Sequence, residues 1–504
     1  MVNNEVKEFD VAIIGYGPVG ATLANYLGKA GLSVGVFERE PSVFHMPRAS
    51  HLDGEIMRCY QAIDLAEQIE KVTIETKGYD FVNGEGKVIL KLDKEKGLSP
   101  HSWNYHYRYH QPTFESILRS GVDRYKNVYV FLNHEVDSCE QNSESTTLHV
   151  KNLQQKQQFK VKAKYLVGCD GARSMVRNSI NSEMEDIGQH QQWLVIDVKL
   201  NNPVDNLPKK GIQYCDPKRP ITYIPGIGEY DRHRWEIMLM PGDDKDEMEK
   251  HESVWKLLNK WIKPEDAVIE RASVYKFHSL IATGWRKGRI LLAGDSVHQT
   301  PPFLGQGMCA GVRDVANLAW KLVMVLNNKA PENILDTYET ERKHHVKEFI
   351  KMASDLGKII TITDPIEVKE RDNKFLSEEP KELVEPNPTL GKGLHGDSPF
   401  PAGSIFPQPK LPDGQLLDNK IGTFNFAIIG KQEVIYQANE TSKDLWEQTD
   451  SIIITNTSIE IDKWLEKHNC KVVIIRPDRY ILGTALDANE LNQVSLLIPS
   501  HAIV

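Results

Sequence analysis

Gly15-Tyr-Gly17-Pro-Val-Gly20 sets three glycines between an apolar run, Phe9 to Ile14, and a helical pattern from Pro18 to Lys29. Glycines so spaced allow a tight turn, let the backbone approach a pyrophosphate, and let helix pack on strand. The helix start would offer free N–H groups and a partial positive charge to phosphates. Glu38 ends the next apolar run, Ser33 to Glu38, where a carboxylate can accept bonds from an adenosine ribose; Arg39 adjoins it. A glycine triplet alone could be a structural turn. Here strand, helix, second strand and terminal carboxylate agree on dinucleotide binding.

Three aspartates stand at other element boundaries. Asp170-Gly171 closes the run Tyr165 to Cys169, with Arg173 and Arg177 close behind. Asp-Gly is a frequent turn dipeptide, but cations there could also hold phosphates. Asp295 follows the apolar run Arg289 to Ala293, and could equally be a turn or capping residue. Asp53 precedes a helical pattern from Glu55 to Glu67. It reads either as that helix's N-cap or as a carboxylate able to take a proton from a substrate. Histidine spacing gives no metal site, and His344 and His345, on a lysine-rich helix, are expected to be solvated.

These residues need a scaffold larger than one core, and 504 residues imply two or three domains. The opening strand, helix and strand form a βαβ unit. Short alternating segments from Val128 to Lys160, and strand-like stretches from Trp193 to Pro241, predict hairpins and a mostly antiparallel middle sheet. A buried strand at Arg289 to Ala293 then leads to helices from about Val312 to Leu326 and Leu335 to Ile360. Asp364 to Gly414 holds nine prolines and no period, as in a linker or wrapping segment. Beyond it, Phe424 to Ile429, Ser451 to Ile454, Ile459 to His468 and Lys471 to Ile475 predict a small α/β unit.

Net charge is -9, from 61 basic and 70 acidic residues. No basic stripe suits nucleic acid, and no apolar run approaches membrane-spanning length. Six scattered cysteines without CxxC spacing suggest reduced thiols in a cytoplasmic protein.

Taken together, the motifs resemble those of class A FAD-dependent aromatic monooxygenases. Tyr165-Leu-Val-Gly-Cys-Asp170-Gly171-Ala-Arg173 resembles their Asp-Gly motif. Gly288-Arg-Ile-Leu-Leu-Ala-Gly294-Asp295-Ser-Val-His298-Gln-Thr-Pro301-Pro302-Phe-Leu-Gly305-Gln306-Gly307 resembles their Gly-Asp motif, and Met308 to Leu322 the helix that follows. The resemblance covers the whole chain and is strongest to phenol-type and 3-(3-hydroxyphenyl)propionate-type hydroxylases.

The resemblance implies an α/β fold: a Rossmann-like FAD-binding domain, an antiparallel-sheet substrate domain and a C-terminal thioredoxin-like domain. The boundaries would be 1–185 (first FAD part, with substrate-domain insertions), 186–280 (middle sheet), 281–363 (second FAD part), 364–415 (linker) and 416–504 (thioredoxin-like). It implies NADH- or NADPH- and O2-dependent hydroxylation of a small aromatic through a flavin C4a-hydroperoxide. Asp295 would bind the ribityl chain, and the Gly305, Gly307 and Met308 backbone the pyrimidine edge of the flavin. Arg48, within Met46-Pro47-Arg48-Ala49, and Gln111 match flavin-contacting positions. Asp170 and Arg173 would lie near the pyrophosphate and the nicotinamide path. Pro302 would place its carbonyl beside the reactive edge, and Asp53 would lie near a phenolic hydroxyl. His51, Tyr214 and Tyr223 are pocket candidates that packing explains as well, His51 joining Asp53 and Pro302 as the catalytic set. The C-terminal unit, including Arg476-Pro-Asp478-Arg-Tyr480, would serve as a brace or a homodimer contact. The alternatives are a monooxygenase of larger polycyclic substrates, a flavin-dependent halogenase, whose Trp-x-Trp-x-Ile-Pro segment is absent, and a non-catalytic flavin sensor.

Overall fold

A computed structural model describes residues 7–46, 48–93, 97–188, 190–377 and 386–501. Pro47 of the Pro-Arg-Ala segment lies outside the described residues. Val11, Ala12 and Ile13 have no solvent exposure, as a strand covered on both faces requires. Their strand, Lys7–Ile14, is the centre of five parallel strands. Gln157–Gly168 and then Ile290–Leu292 lie to one side, Val34–Glu38 and then Val128–Leu132 to the other. The strands His134–Gln141 and Thr146–Asn152 extend this sheet as an antiparallel hairpin. The helix Pro18–Lys29 starts with proline, whose fixed φ suits a first turn where its missing N–H costs nothing.

A second sheet of seven strands runs in the order Ala267–Phe277, Gln191–Leu200, Arg232–Met238, Ile221–Pro225, Gly211–Cys215, Gly78–Asn83 and Val88–Asp93. Only the pairing of Gly211–Cys215 with Gly78–Asn83 is parallel. Period-two alternation gives its faces opposite characters. Leu194, Ile196, Tyr223, Trp235 and Ile237 pack outward under the helix His251–Leu258. Asp197, Gln213, Thr222, Arg234 and Glu236 occupy the alternate positions, buried on the other face. Between the two large sheets lies a small one of His51–Asp53, His106–Tyr109 and Thr73–Glu75.

Some elements differ from the sequence expectation. The helix expected over Glu55 to Glu67 is two short ones, Gly54–Gln61 and Ala66–Glu70, separated by a reversal in which Asp64 takes φ +58. The helix expected from Val312 begins at Gly307, because its first turn is too glycine-rich to show a period. The proline-rich stretch opens with a helix, Pro365–Leu376, capped by Asp364; its polar composition hid it. His345 is not solvated but 2% exposed: it lies on the buried face of Asp336–Ile360, under Tyr480.

The last four strands form a sheet in the order Ile452–Ile454, Ala427–Gly430, Val472–Ile475, Ile481–Ala485, the first pairing parallel and the others antiparallel. Buried ions fasten this unit to the rest. Arg476 donates to both oxygens of Glu341, at 2.8 Å each, and to Asp478. Arg58 and Arg479 share Asp418. Arg476→Ala would leave buried Asp478 without a cation and Glu341 with Lys321 alone, and is expected to lower stability by about 3–5 kcal/mol, measured as a drop in the urea midpoint. Burial alone would raise the Asp418 carboxyl, but Arg479 and Arg58 hold it down to about 2. An unfolded aspartate titrates near 3.8. Its stabilisation, on the order of 2 kcal/mol, is therefore complete above about pH 4 and lost as the pH falls toward 2. Asp418→Asn should flatten the acid limb of stability against pH.

Candidate active site

Gly15 has φ +96, and a Cβ there would sit 2.3 Å from the Cys169 carbonyl oxygen. Glycine alone allows the first strand to turn this close to the Asp-Gly loop. A Cβ on Gly20 would lie 2.0 Å from the Gly15 oxygen, whereas one on Gly17 would meet nothing within 4 Å. The Gly17 side is open, and the helix that starts there has no side-chain cap. Its first N–H groups therefore face a space suited to an anion. Glu38 accepts from the Tyr16 N–H (2.8 Å) and the Glu40 N–H (2.9 Å), which fixes the carboxylate beside the turn. Arg39 is exposed, 3.5 Å from Glu40.

Asp170 accepts from the Ser174 hydroxyl and the Val176 N–H, so it braces the short helix Met175–Ser179. Arg177 is buried and donates to the carbonyls of Ala172 and Ser296, tying the Asp-Gly loop to the Gly-Asp loop. It is thus a structural tie rather than a phosphate ligand, while Arg173 stays exposed. Asp295 is exposed between buried Gly294 and Ser296. Enough protein surrounds it that desolvation pushes its carboxyl up against the opposing charges of His298 and Arg48. A carboxylate open to solvent yet set in a recess is suited to a ligand's hydroxyls. Asp314 anchors this loop from the following helix. It accepts from the Gly294 N–H (3.1 Å) and Arg342 Nε (3.1 Å), and lies 2.6 Å from His298 Nε2.

The segment Pro302–Leu304 is one 3-10 turn, closed by the Gly305 N–H on the Pro302 carbonyl at 2.8 Å. Gly305 is left-handed at φ +67, with His51 packed where a side chain would go. The helix Gly307–Leu326 then begins without a side-chain cap, a second free N-terminus for negative charge. Met308 accepts a long bond from the Tyr109 hydroxyl, 3.5 Å.

Asp53 does cap Gly54–Gln61, accepting from the Ile56 N–H at 3.0 Å. Its other oxygen takes Arg313 at 2.6 Å and the Gln306 amide at 3.2 Å. Burial would raise this carboxyl, but the charge and hydrogen bond of Arg313 prevail and hold it well below the usual range. A carboxylate held so strongly ionised is a poor proton acceptor. The residue sequence reasoning missed is Arg313, which also donates to Glu55 (2.6 Å); Glu55 in turn accepts from the Tyr480 hydroxyl (2.9 Å).

His51 Nε2 lies 3.0 Å from His106 Nδ1, and its Nδ1 lies 3.4 Å from the Gly305 carbonyl oxygen. Gln111 accepts from the Arg48 and Ala49 N–H groups at 2.8 Å each, and Arg234 of the middle sheet donates to the Arg48 carbonyl at 2.8 Å. Arg48 is thereby held between the two domains. Tyr214 and Tyr223 belong to the outward face instead, against Trp261 and Trp235. Neither joins the site.

Two uncapped helix starts, the open Gly17 side and the recessed Asp295 carboxylate fit an FAD stretched along the first sheet. Asp295→Ala is expected to weaken FAD binding about 10- to 100-fold, the worth of hydrogen bonds to a charged acceptor. The melting temperature of the apoprotein should be unchanged, since Asp295 accepts no hydrogen bond from a described residue. Flavin fluorescence titration and apoprotein melting check the pair of outcomes.

The FAD binding domain family matches residues 8–353, and the HcaD C-terminal domain family matches residues 434–497. The chain is 35% identical to a probable NADH-specific resorcinol 4-hydroxylase of Rhodococcus jostii, over 96% of this chain and 93% of that protein. It is 31% identical to the 3-(3-hydroxy-phenyl)propionate/3-hydroxycinnamic acid hydroxylase of Escherichia coli, with the same coverage. Among solved structures, the flavin-dependent monooxygenase PieE superposes with a TM-score of 0.83 at 20% identity, over 97% of this chain and 98% of that one. Aklavinone-11 hydroxylase follows at 0.79 and 19%, over 99% and 100%; these likenesses concern the fold. A family match spanning both halves of the first sheet, with relatives aligned nearly end to end, places this chain in the class A FAD-dependent aromatic monooxygenases.

Proposed function

We propose that the protein hydroxylates a small phenolic compound with NADH or NADPH and O2, in the cytoplasm. The observation that carries this reading is the imidazole pair beside the 302–307 loop. His51 touches Gly305 and has His106 behind it, so a proton acceptor with its own acceptor stands next to the expected flavin edge. The 35% identity to a probable NADH-specific resorcinol 4-hydroxylase supports a phenol as substrate and NADH as reductant.

FAD, when bound, supplies the redox chemistry: it takes a hydride from the nicotinamide and passes one oxygen atom of O2 to the ring. The chain's own residues prepare the partners. Gly15, Gly17, Gly20 and Glu38 hold the adenosine and pyrophosphate end, Asp295 the ribityl chain. The Gly307 and Met308 N–H groups, at the positive end of their helix, favour negative charge on the pyrimidine ring. Arg48, kept in place by Gln111 and Arg234, lines the flavin, while Pro302 shapes the turn above it. His51 takes the phenolic proton on its imidazole and can share the positive charge with His106. Deprotonation enriches the ring in electrons, and general-base help of this kind is worth about 10²–10⁴-fold. Asp53 is a positioning residue: it fixes Gln306 in the loop through Arg313.

Arg173, exposed beside the Asp-Gly turn, is a cation for the passing nicotinamide cofactor. The C-terminal unit, a four-stranded sheet with helices, acts as a thioredoxin-like brace without redox work. Its one cysteine, Cys470, is buried and free, and burial pushes the thiol up to about 11.

The test follows NADH and NADPH oxidation and H2O2 release on the holoenzyme with phenol, resorcinol and 3-(3-hydroxyphenyl)propionate. Stimulation by one of them, with little H2O2 and a product heavier by one oxygen, is the expected outcome. A flavin-loaded protein that none of them stimulates would turn the reading toward larger polycyclic substrates. His51→Ala should lower the hydroxylation rate about 10²-fold or more and shift its pH optimum upward, because the phenol must then ionise unaided.

A further inference from the structure

Arg108 is 5% exposed, and one of its terminal nitrogens, Nη2, has no hydrogen-bond partner among the described residues. Its other terminal nitrogen donates to the Pro225 carbonyl at 2.5 Å, and the guanidinium lies 5.4 Å from the Tyr79 ring centroid. Among the described residues no carboxylate pairs with it: desolvation lowers its affinity for a proton, and the tyrosines Tyr79 and Tyr223 counter this. Every other buried arginine among the described residues is ion-paired, apart from Arg177, whose guanidinium reaches two carbonyls. A buried guanidinium without an anion is strongly disfavoured, and its unmet N–H adds to that cost. Such a cost persists where a ligand supplies the missing charge.

The position of Arg108 says which ligand. It lies on the strand His106–Tyr109, directly opposite His51 in the small sheet. Residues at alternate strand positions share a face, so Arg108, His106 and His51 face the same way. His51 reaches the Gly305 loop, and Arg108 reaches Pro225 at the end of a middle-sheet strand. The guanidinium is therefore between the flavin loop and the substrate sheet, across from His51 and two residues from His106.

We infer that Arg108 is a specificity-determining residue, whose free N–H takes a negatively charged oxygen of the aromatic substrate. The assignment rests on the phenolic-hydroxylase reading and narrows it to rings that carry a phenolate or a carboxylate. A phenolate formed at His51 would be held by Arg108; a carboxylate on a side chain would anchor the ring there before any proton moves.

The test titrates FAD-loaded wild type, Arg108→Met and Arg108→Lys with resorcinol and with 3-phenylpropionate, reading dissociation constants from the flavin absorbance change. Arg108→Met is expected to weaken binding of at least one of them 10- to 100-fold, with FAD content unchanged and the melting temperature equal or higher. Arg108→Lys should restore part of the loss. A loss seen with resorcinol that grows as the pH approaches the phenol's own ionisation identifies the phenolate as the partner. A loss with 3-phenylpropionate that is constant above about pH 6 identifies the carboxylate. Unchanged constants in Arg108→Met overturn the assignment, as does a loss that tracks a fallen melting temperature and is not restored by lysine. If neither aromatic perturbs the wild-type flavin, the phenolic reading itself falls, and this assignment with it.

Discussion

A guanidinium taken out of water is costly unless it finds a carboxylate, because an unpaired buried charge is far costlier than a paired one is beneficial. Arg313 finds two, Asp53 and Glu55, either side of one helix start. It also donates to the Gln306 side chain at 3.1 Å, and Gln306 reaches back to Asp53. One cation thus joins the end of the small sheet, the start of Gly54–Gln61 and the loop between Pro302 and Gly307. Glu55 then passes the connection to Tyr480 of the last unit. Displacing any member changes the surroundings of the others, since none can turn to solvent for compensation.

Much of this was legible in the sequence and some was not, for identifiable reasons. The first βαβ unit was visible because local signals coincide there: apolar runs, helix period, glycine spacing and the proline at Pro18. The Asp295 loop was visible as a motif. The helix from Gly307 was visible only from its middle, since glycines and a cysteine in its first turns blur the period. Asp53 presented two readings, of which the helix cap needed nothing beyond the local pattern. The pairing that separates them comes from a residue 260 positions away, which no local pattern reports. Arg313 stood within a recognised motif as an unremarked position. Tyr214 and Tyr223 could not be assigned a face without knowing the strand register, which sends both outward. His345 shows the same limit, because lysines beside it say nothing about which side of a helix is covered.

The charged residues of the interior fall into two kinds. Most are closed sets, such as Arg476 with Glu341 and Asp478, or Arg234 with Asp197. Closed sets hold segments together and need nothing from outside. Asp295 and Arg108 are of the other kind, each retaining hydrogen-bonding capacity that the described protein leaves unused. Both lie along the line where the first sheet meets the middle one. By elementary desolvation, polar capacity that is buried or recessed and left open is expensive unless a ligand fills it.

The strands Gly78–Asn83 and Val88–Asp93 enter the middle sheet from a part of the chain that precedes its other five strands by about a hundred residues. Tyr79 pairs with Gly211 in parallel register, and its ring occupies the space that a side chain at Gly211 would need. The middle sheet is therefore not a cassette. A chimera that exchanged residues 186–280 with a relative, to trade one substrate preference for another, would pair foreign strands with a resident edge. Recombination between such enzymes would have to move both segments together, with two crossovers on each side of the helix Gln111–Val122, to keep that seam matched.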